Sequence, residues 1–323
     1  MKKERLFYLD FVRLIAVVSI LLTHYNALFL YTNPQRPDLM VITHKVANIY
    51  IGDFGVSLFF IISGAALMTV YADKFDVKKF YKKRFWGIYP MFWLTYILAF
   101  LYRYITTGYY AQDVPKFSMI YTILGFDGCF AAIGPTFYLV GEWFLGCIII
   151  IYLIFPILRI GVLKNPIITV MAVSMIYMLG VFCYVSVFPK SMLPLIRMAE
   201  FLYGMIFAYF IKKANWKVAL GSAIVLILNT LLCPTIDNNI QTLYVGIAAF
   251  NLLVYISQFC QFKWLEWICQ LVSKYSYAVF LCHHFIIYRV MERHVLQSLS
   301  WKSSHKMFLI CCIIIAICSV ALY

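Results

Sequence analysis

The chain has 323 residues, of which 64% are hydrophobic and only 12% charged, and its mean hydropathy is +0.87. A water-soluble domain carries about a quarter charged residues, so a soluble fold is excluded, and continuous rather than alternating apolar runs exclude a transmembrane β-barrel. The net charge of +14 would suggest nucleic acid in a soluble chain; here the lysines sit in short loops between apolar runs, where they set orientation in a membrane, with a pocket for an anionic donor as a second reading.

In chain order the apolar runs predict about ten membrane-spanning helices forming one all-α transmembrane domain over residues 1–323. Span one covers Leu6–Tyr31 and starts in the cytoplasm, because Lys2, Lys3 and Arg5 precede it. It has no small-residue cleavage site and is interrupted by Asp10 and Arg13, so it is expected to be retained rather than removed. A proline-bearing outer loop, Thr32–Lys45, leads to span two, Val46–Tyr71. The loop after it holds Lys74, Lys78, Lys79, Lys82, Lys83 and Arg84 and falls on the cytoplasmic side. Span three is Trp86–Ile105. The outer segment Thr106–Pro135 includes a candidate half-inserted helix over Lys116–Ala132. Spans four to six are Thr136–Leu158, Pro166–Val187 and Leu193–Ile211, the last with Arg197 and Glu200 as an i, i+3 pair. Spans seven to ten are Val218–Cys233, Gln241–Phe259, Ile268–Tyr288 and Met307–Tyr323. This topology places both termini inside, in the plasma membrane, and leaves Arg289, Arg293, Lys302 and Lys306 outside against the charge rule. The ten cysteines lie mostly within apolar segments, with no CxxC pair, and read as small buried side chains rather than metal ligands.

Three ionisable side chains mark span one. Asp10 and Arg13 can meet across one turn. Arg13 and His24 are eleven residues apart, about three turns, and so share a helix face roughly 16 Å apart along the axis. Ionisable groups in such a segment are costly unless they face a cavity or a partner. The pair therefore reads as a transfer site, with His24 as general base or transient acyl carrier, Arg13 holding an anionic group, and Asp10 orienting Arg13. The bland alternative is an ion-paired structural arginine and a satisfied interfacial histidine. In span two, Gly55, Ser57, Ser63 and Gly64 permit close helix approach, while Asp53 is a carboxylate near the outer surface that could pair with a histidine or bind a sugar hydroxyl.

Leu9, Asp10, Arg13 and Ala16, followed by His24, form a pattern LDxxRxxA…H that resembles membrane acyltransferases of the acyltransferase-3 family. Four further stretches extend the resemblance in order. Phe59–Gly64, FFIISG, is similar to the family's FFxxSG. Phe80–Trp93, FYKKRFWGIYPMFW, is similar to a basic pair followed by Arg-Ile-x-Pro, with Lys83 and Arg84 as the pair and Gly87 where arginine is common. Trp143–Pro156 matches WFLxxxxxxYLxxP, but Ile148 stands where relatives carry glutamate, so Glu142 is a candidate on physical grounds alone. Ser276–His283 resembles SYxxYLxH, with His283 as the counterpart and His284 as an extra residue.

The resemblance implies a membrane O-acyltransferase moving an acyl group, usually acetyl, from cytoplasmic acyl-coenzyme A to a hydroxyl of a surface or exported glycan or a lipid-linked sugar. It implies Arg13 and His24 as catalytic residues, Lys83 and Arg84 as donor-binding and His283 as a candidate catalytic or acceptor-binding residue; Asp53 and Glu142 are candidates for the same roles on physical grounds alone. Acetyl-coenzyme A is expected as donor substrate, with no permanently bound cofactor, no metal and no nucleic acid. The rival reading is a transporter of a glycan or anionic metabolite lined by Arg13, His24, Asp53, Glu142, Arg197 and Glu200, although no repeated halves support it. The first-span spacing of arginine and histidine also distinguishes the chain from other membrane acyltransferases with an intramembrane histidine.

Overall fold

A computed structural model describes residues 6–108, 111 and 113–323. Lys2, Lys3 and Arg5, the first orientation signal, lie outside the described residues. Apart from one short hairpin the described chain is helical. In order it runs α1 (Phe7–Leu30), β1 (Lys45–Val46), β2 (Ile49–Tyr50), α2 (Ile51–Tyr71), α3 (Val77–Thr107), α4 (Met119–Leu124), α5 (Asp127–Phe130), α6 (Trp143–Lys164), α7 (Pro166–Phe182) and α8 (Pro194–Ile206), then α9 (Trp216–Leu232), α10 (Asn238–Ser257), α11 (Lys263–Met291) and α12 (Trp301–Leu322). The hairpin pairs Lys45 with Tyr50 and Val46 with Ile49.

Among the described residues, seven helices are long and apolar enough to cross a membrane: α1, α2, α3, α6, α8 with its π-helical extension to Ile211, α10 and α12. The expected count of about ten is not reached. Two of the remaining apolar helices, α7 and α9, have 17 residues each, about 25 Å of rise against a hydrocarbon core near 30 Å. The third, α11, has 29 residues, but Lys263, Glu266, Lys274 and Arg289 dilute it. The basic stretch Lys78–Arg84 belongs to the first two turns of α3 rather than to a loop. The half-inserted helix expected over Lys116–Ala132 is instead two short pieces, α4 and α5, because Gly125 ends α4 at φ 77°.

The chain divides into two compact units. One comprises residues 6–16, Lys45–Tyr81 and Cys147–Lys274. Its core joins Val12, Phe54, Leu58, Ile61, Phe207 and Phe250. Here α2 and α8 touch backbone to backbone: a Cβ on Gly64 would lie 1.9 Å from the Phe201 carbonyl oxygen, and one on Gly204 would lie 1.9 Å from that of Ile61. The small residues of α2 thus do what their size permits, letting two helices approach closely.

The other unit comprises Val17–His44, Lys82–Gly146 and Tyr275–Tyr323. Polar side chains fasten its irregular stretches to its helices. Asn26 brackets Val41, donating from Nδ2 to its carbonyl at 3.0 Å and accepting its N–H at 2.8 Å. The Tyr25 hydroxyl donates to the Ser304 carbonyl at 2.6 Å. Trp93 Nε1–H donates to the Ile123 carbonyl at 3.0 Å and the Tyr96 hydroxyl to the Phe137 carbonyl at 2.6 Å, pinning the segment before α6 against α3. Buried backbone carbonyls need such donors, and away from water these bonds fix the segment's path.

Candidate active site

The site lies within the second unit, where the C-terminal half of α1, the turn before α6 and the second half of α11 meet. Residues Gly141 and Glu142 enter α6 through a turn that needs glycine at φ 81°, a left-handed conformation that strains other residues. Glu142 also bridges Gly128 in α5, and a Cβ there would lie 2.6 Å from the Glu142 carbonyl carbon. Backbone packing against a glycine therefore fixes where the Glu142 side chain starts.

Glu142 Oε1 accepts from the Tyr138 hydroxyl at 2.6 Å and forms a short ion-pair contact with His284 Nδ1. Tyr138 is also 2.8 Å from His284 Nδ1. The phenol's one proton goes to the carboxylate, so the imidazole N–H faces the same oxygen. The ring of His284 is backed by Tyr288, centroids 4.5 Å apart. Opposite stands His24, with ring centroids 4.6 Å from His284 and 4.7 Å from His283. No hydrogen bond engages the His24 ring among the described residues, and the residue is not fully enclosed.

His283 is fully buried, with Nδ1 2.9 Å from the Phe280 carbonyl and 3.0 Å from that of Val279. Carbonyls only accept, so Nδ1 carries the proton and Nε2 presents a lone pair. That Nε2 is buried and has no hydrogen-bond partner among the described residues. Ligand atoms of His24, Glu142 and His283 lie within 4.8 Å of one another, a set that could hold a metal ion. The engagement of Glu142 by an imidazole and a phenol equally suits proton transfer, in which a carboxylate orients a histidine and stabilises its charged form.

An acyltransferase-domain family matches residues 6–323 of the chain. The chain belongs to the acyltransferase-3 family. It is also similar to the acyltransferase MdmB of Streptomyces mycarofaciens, 26% identical over 193 residues, which is 52% of this chain and 49% of that protein. The match thus spans about half the length of this curated relative. No solved structure matches.

Of the residues the sequence singled out, the acyltransferase-3 fold brings His24, Glu142 and His283 together. Arg13, on the same helix as His24, belongs to the other unit. There it approaches Asp10 at 3.8 Å, as the spacing predicts, and hydrogen-bonds Ser273 Oγ closely. The expectation that Asp53 pairs with a histidine is corrected. Arg197 donates to its Oδ1 at 3.2 Å and Asn238 to its Oδ2 at 3.0 Å, while Arg197 also pairs with Glu200 at 3.2 Å. A buried arginine claims both carboxylates, because an isolated charge there would cost several kcal/mol. Lys83 is exposed and Arg84 half-buried in the early turns of α3, in the second unit.

Sequence reasoning misses Tyr138, Tyr288 and the central role of His284. The available signal for Tyr138 is its spacing of four residues from Glu142. His284 follows a matched histidine, and the family pattern gives it no place. Consecutive helix positions point about 100° apart, and His24 sits where it meets both rings.

Proposed function

We propose that the chain transfers an acyl group, acetyl in the simplest case, from cytoplasmic acyl-coenzyme A to a hydroxyl of a surface or exported glycan or of a lipid-linked sugar. The observation that carries this reading is the convergence of three imidazoles on Glu142, with His24 the ring left unengaged. His24 takes the proton of the acceptor hydroxyl as its oxygen attacks the thioester carbonyl. The tetrahedral centre then collapses, the carbon–sulfur bond breaks, and the coenzyme A thiolate leaves and recovers that proton. The Glu142–His284 pair steadies the positive charge on His24 while it holds the proton. Arg13, fixed by Asp10 and Ser273, is the candidate to hold an anionic part of the donor, and Lys83 and Arg84 are candidates for its phosphates.

The transporter reading loses support from the pairing of its lining charges. Asp53 and Glu200 are both engaged by Arg197 inside one unit, and Arg13 is held by Asp10 and Ser273. The test is purified protein with radiolabelled acetyl-coenzyme A, which an acyltransferase hydrolyses slowly or uses for transfer. His24→Gln keeps hydrogen bonding but cannot accept the proton, and should lower turnover at least about 100-fold, the low end of general acid–base contributions. Near wild-type turnover in His24→Gln would move the chemistry to another residue, with His283 next. Flux of a solute without label transfer would favour the transporter.

A further inference from the structure

The second unit contains a cavity of about 410 Å³ between α3, α11 and α12. Leu98 and Tyr102 of α3, Phe285 and Arg289 of α11, Ile314 of α12 and the intervening Val140 are among its walls. Two features set it apart from an ordinary lipid-facing groove.

The first is its charge. Its walls are almost wholly carbon, yet Arg289 lines it, and Arg293 reaches Tyr102, another wall residue, donating to its hydroxyl at 3.2 Å. Arg289 pairs with Glu292 at 2.9 Å, so two guanidiniums face one carboxylate and a net positive charge remains. The second is its position. Val140 lies two residues from both Tyr138 and Glu142, and the wall residues Cys282 and Phe285 flank His283 and His284 in sequence. A hydrocarbon chain seated here runs along the same stretch of α11 that carries the imidazole cluster.

We infer that this cavity binds the hydrocarbon chain of a phosphate-bearing lipid-linked sugar, with the phosphate at Arg289 and Arg293, and that this lipid is the acceptor. The inference rests on the acyl-transfer reading above and narrows its acceptor to a lipid-linked one. Phosphate suits a guanidinium fork, and an apolar chain gains by filling carbon-lined space.

The test has a binding arm and an activity arm, both on the full chain in lipid nanodiscs. For binding, a diazirine is placed in the chain of a polyprenyl phosphate and, separately, of phosphatidylcholine, and labelled peptides are read by mass spectrometry. The phosphate lipid should label the α3, α11 and α12 walls. Arg289→Gln with Arg293→Gln should cut that labelling at least about tenfold, the effect of losing even one of the two charge-assisted bonds. Ala321→Phe, which fills the cavity from α12, should block it while leaving the arginines in place. For activity, the arginine double variant should raise the KM for a lipid-linked sugar at least about tenfold by the same loss, and Ala321→Phe should raise it by excluding the chain, while acetyl-coenzyme A hydrolysis and transfer to the same sugar without lipid stay unchanged in both. Equal labelling by phosphatidylcholine, indifferent to the arginines, would make the occupant bulk lipid and overturn the inference. So would an unchanged KM for the lipid-linked sugar. If the wild type acylates neither acceptor but the phosphate-specific labelling persists, the acyl-transfer reading fails and the acceptor role with it, leaving a phosphate-lipid site.

Discussion

Asp127 shows most directly what one buried group does to this protein. It is 1% exposed, and neither carboxylate oxygen has a hydrogen-bond partner of good geometry among the described residues. Burial pushes its carboxyl up to about 6, with the Thr122 hydroxyl drawing it back only in part. The unfolded chain releases this proton near pH 3.8. Between that value and about 6 the folded state binds a proton that the unfolded state lacks, so stability falls as pH rises. The stabilising contribution is complete below the unfolded value and lost above about 6. Asp127→Asn removes the charge at every pH. The variant should be more stable than wild type at pH 8, by up to about 2 kcal/mol, with a much smaller gap at pH 4. Thermal unfolding in detergent at both pH values checks this, and a gap that does not widen with pH would mean that the carboxylate is paired. The sequence shows Asp127 only as an acidic residue in an outer loop. His24 and Arg13 are legible because charge inside an apolar helix has few cheap explanations. Asp53 is legible as unusual, but not its partner, since Arg197 lies 144 positions away and no local spacing encodes that meeting.

At the scale of elements, two predictions concern how segments enter the site. Gly128 of α5 packs against the backbone of residues 141–143, with a Cβ reaching to within 2.6 Å of Gly141, Glu142 and Trp143 atoms. Backbone cannot yield as a flexible side-chain end does, so Gly128→Val should push the turn that carries Glu142 away from His284. The expected result is a fall in turnover of at least about tenfold, since small misplacements of catalytic groups are costly, with the protein still inserted and monodisperse. Unchanged turnover would separate Glu142 from the chemistry. The second concerns α3, whose early turns carry Lys83 and Arg84. Replacing both by Gln should raise the KM for acetyl-coenzyme A with little change in turnover at saturation. A charge-assisted hydrogen bond to phosphate is worth about 1.5–3 kcal/mol, and each substitution removes one such donor. An unchanged KM in a well-folded double variant would leave these cations with an orienting role only. The long helices are legible from hydropathy, as is the close approach permitted by the small residues of α2. The broken segment from α4 to Glu142 is not, because its path is set by glycine turns and by side-chain bonds from Trp93 and Tyr96, which carry no periodic pattern.

At the scale of the whole molecule, orientation decides whether a cytoplasmic donor can reach the proposed site, and the charge distribution speaks for one arrangement only in part. Lys78, Lys79, Lys82, Lys83 and Arg84 crowd the start of α3, which by the positive-inside rule faces the cytoplasm. Arg293 donates to Tyr102, near the other end of α3, so Arg293 and its neighbour Arg289 fall at the end opposite those lysines. That excess opposes the rule unless the arginines are kept there for a ligand, as the cavity beside them proposes. The helix α3 offers a clean test, because Asp76 and Lys116 are both exposed and flank it with no other long helix between them. Cysteines at these two positions, one at a time in a cysteine-depleted background, should react differently with an impermeant thiol reagent on intact cells. Lys116→Cys should label from outside, and Asp76→Cys only after permeabilisation. The native cysteines must be removed first, since Cys183 and Cys233 are exposed. Labelling of position 76 from outside would invert the molecule and turn Lys83 and Arg84 away from a cytoplasmic donor. The acyl-coenzyme A hypothesis would then fall even if His24 proved essential.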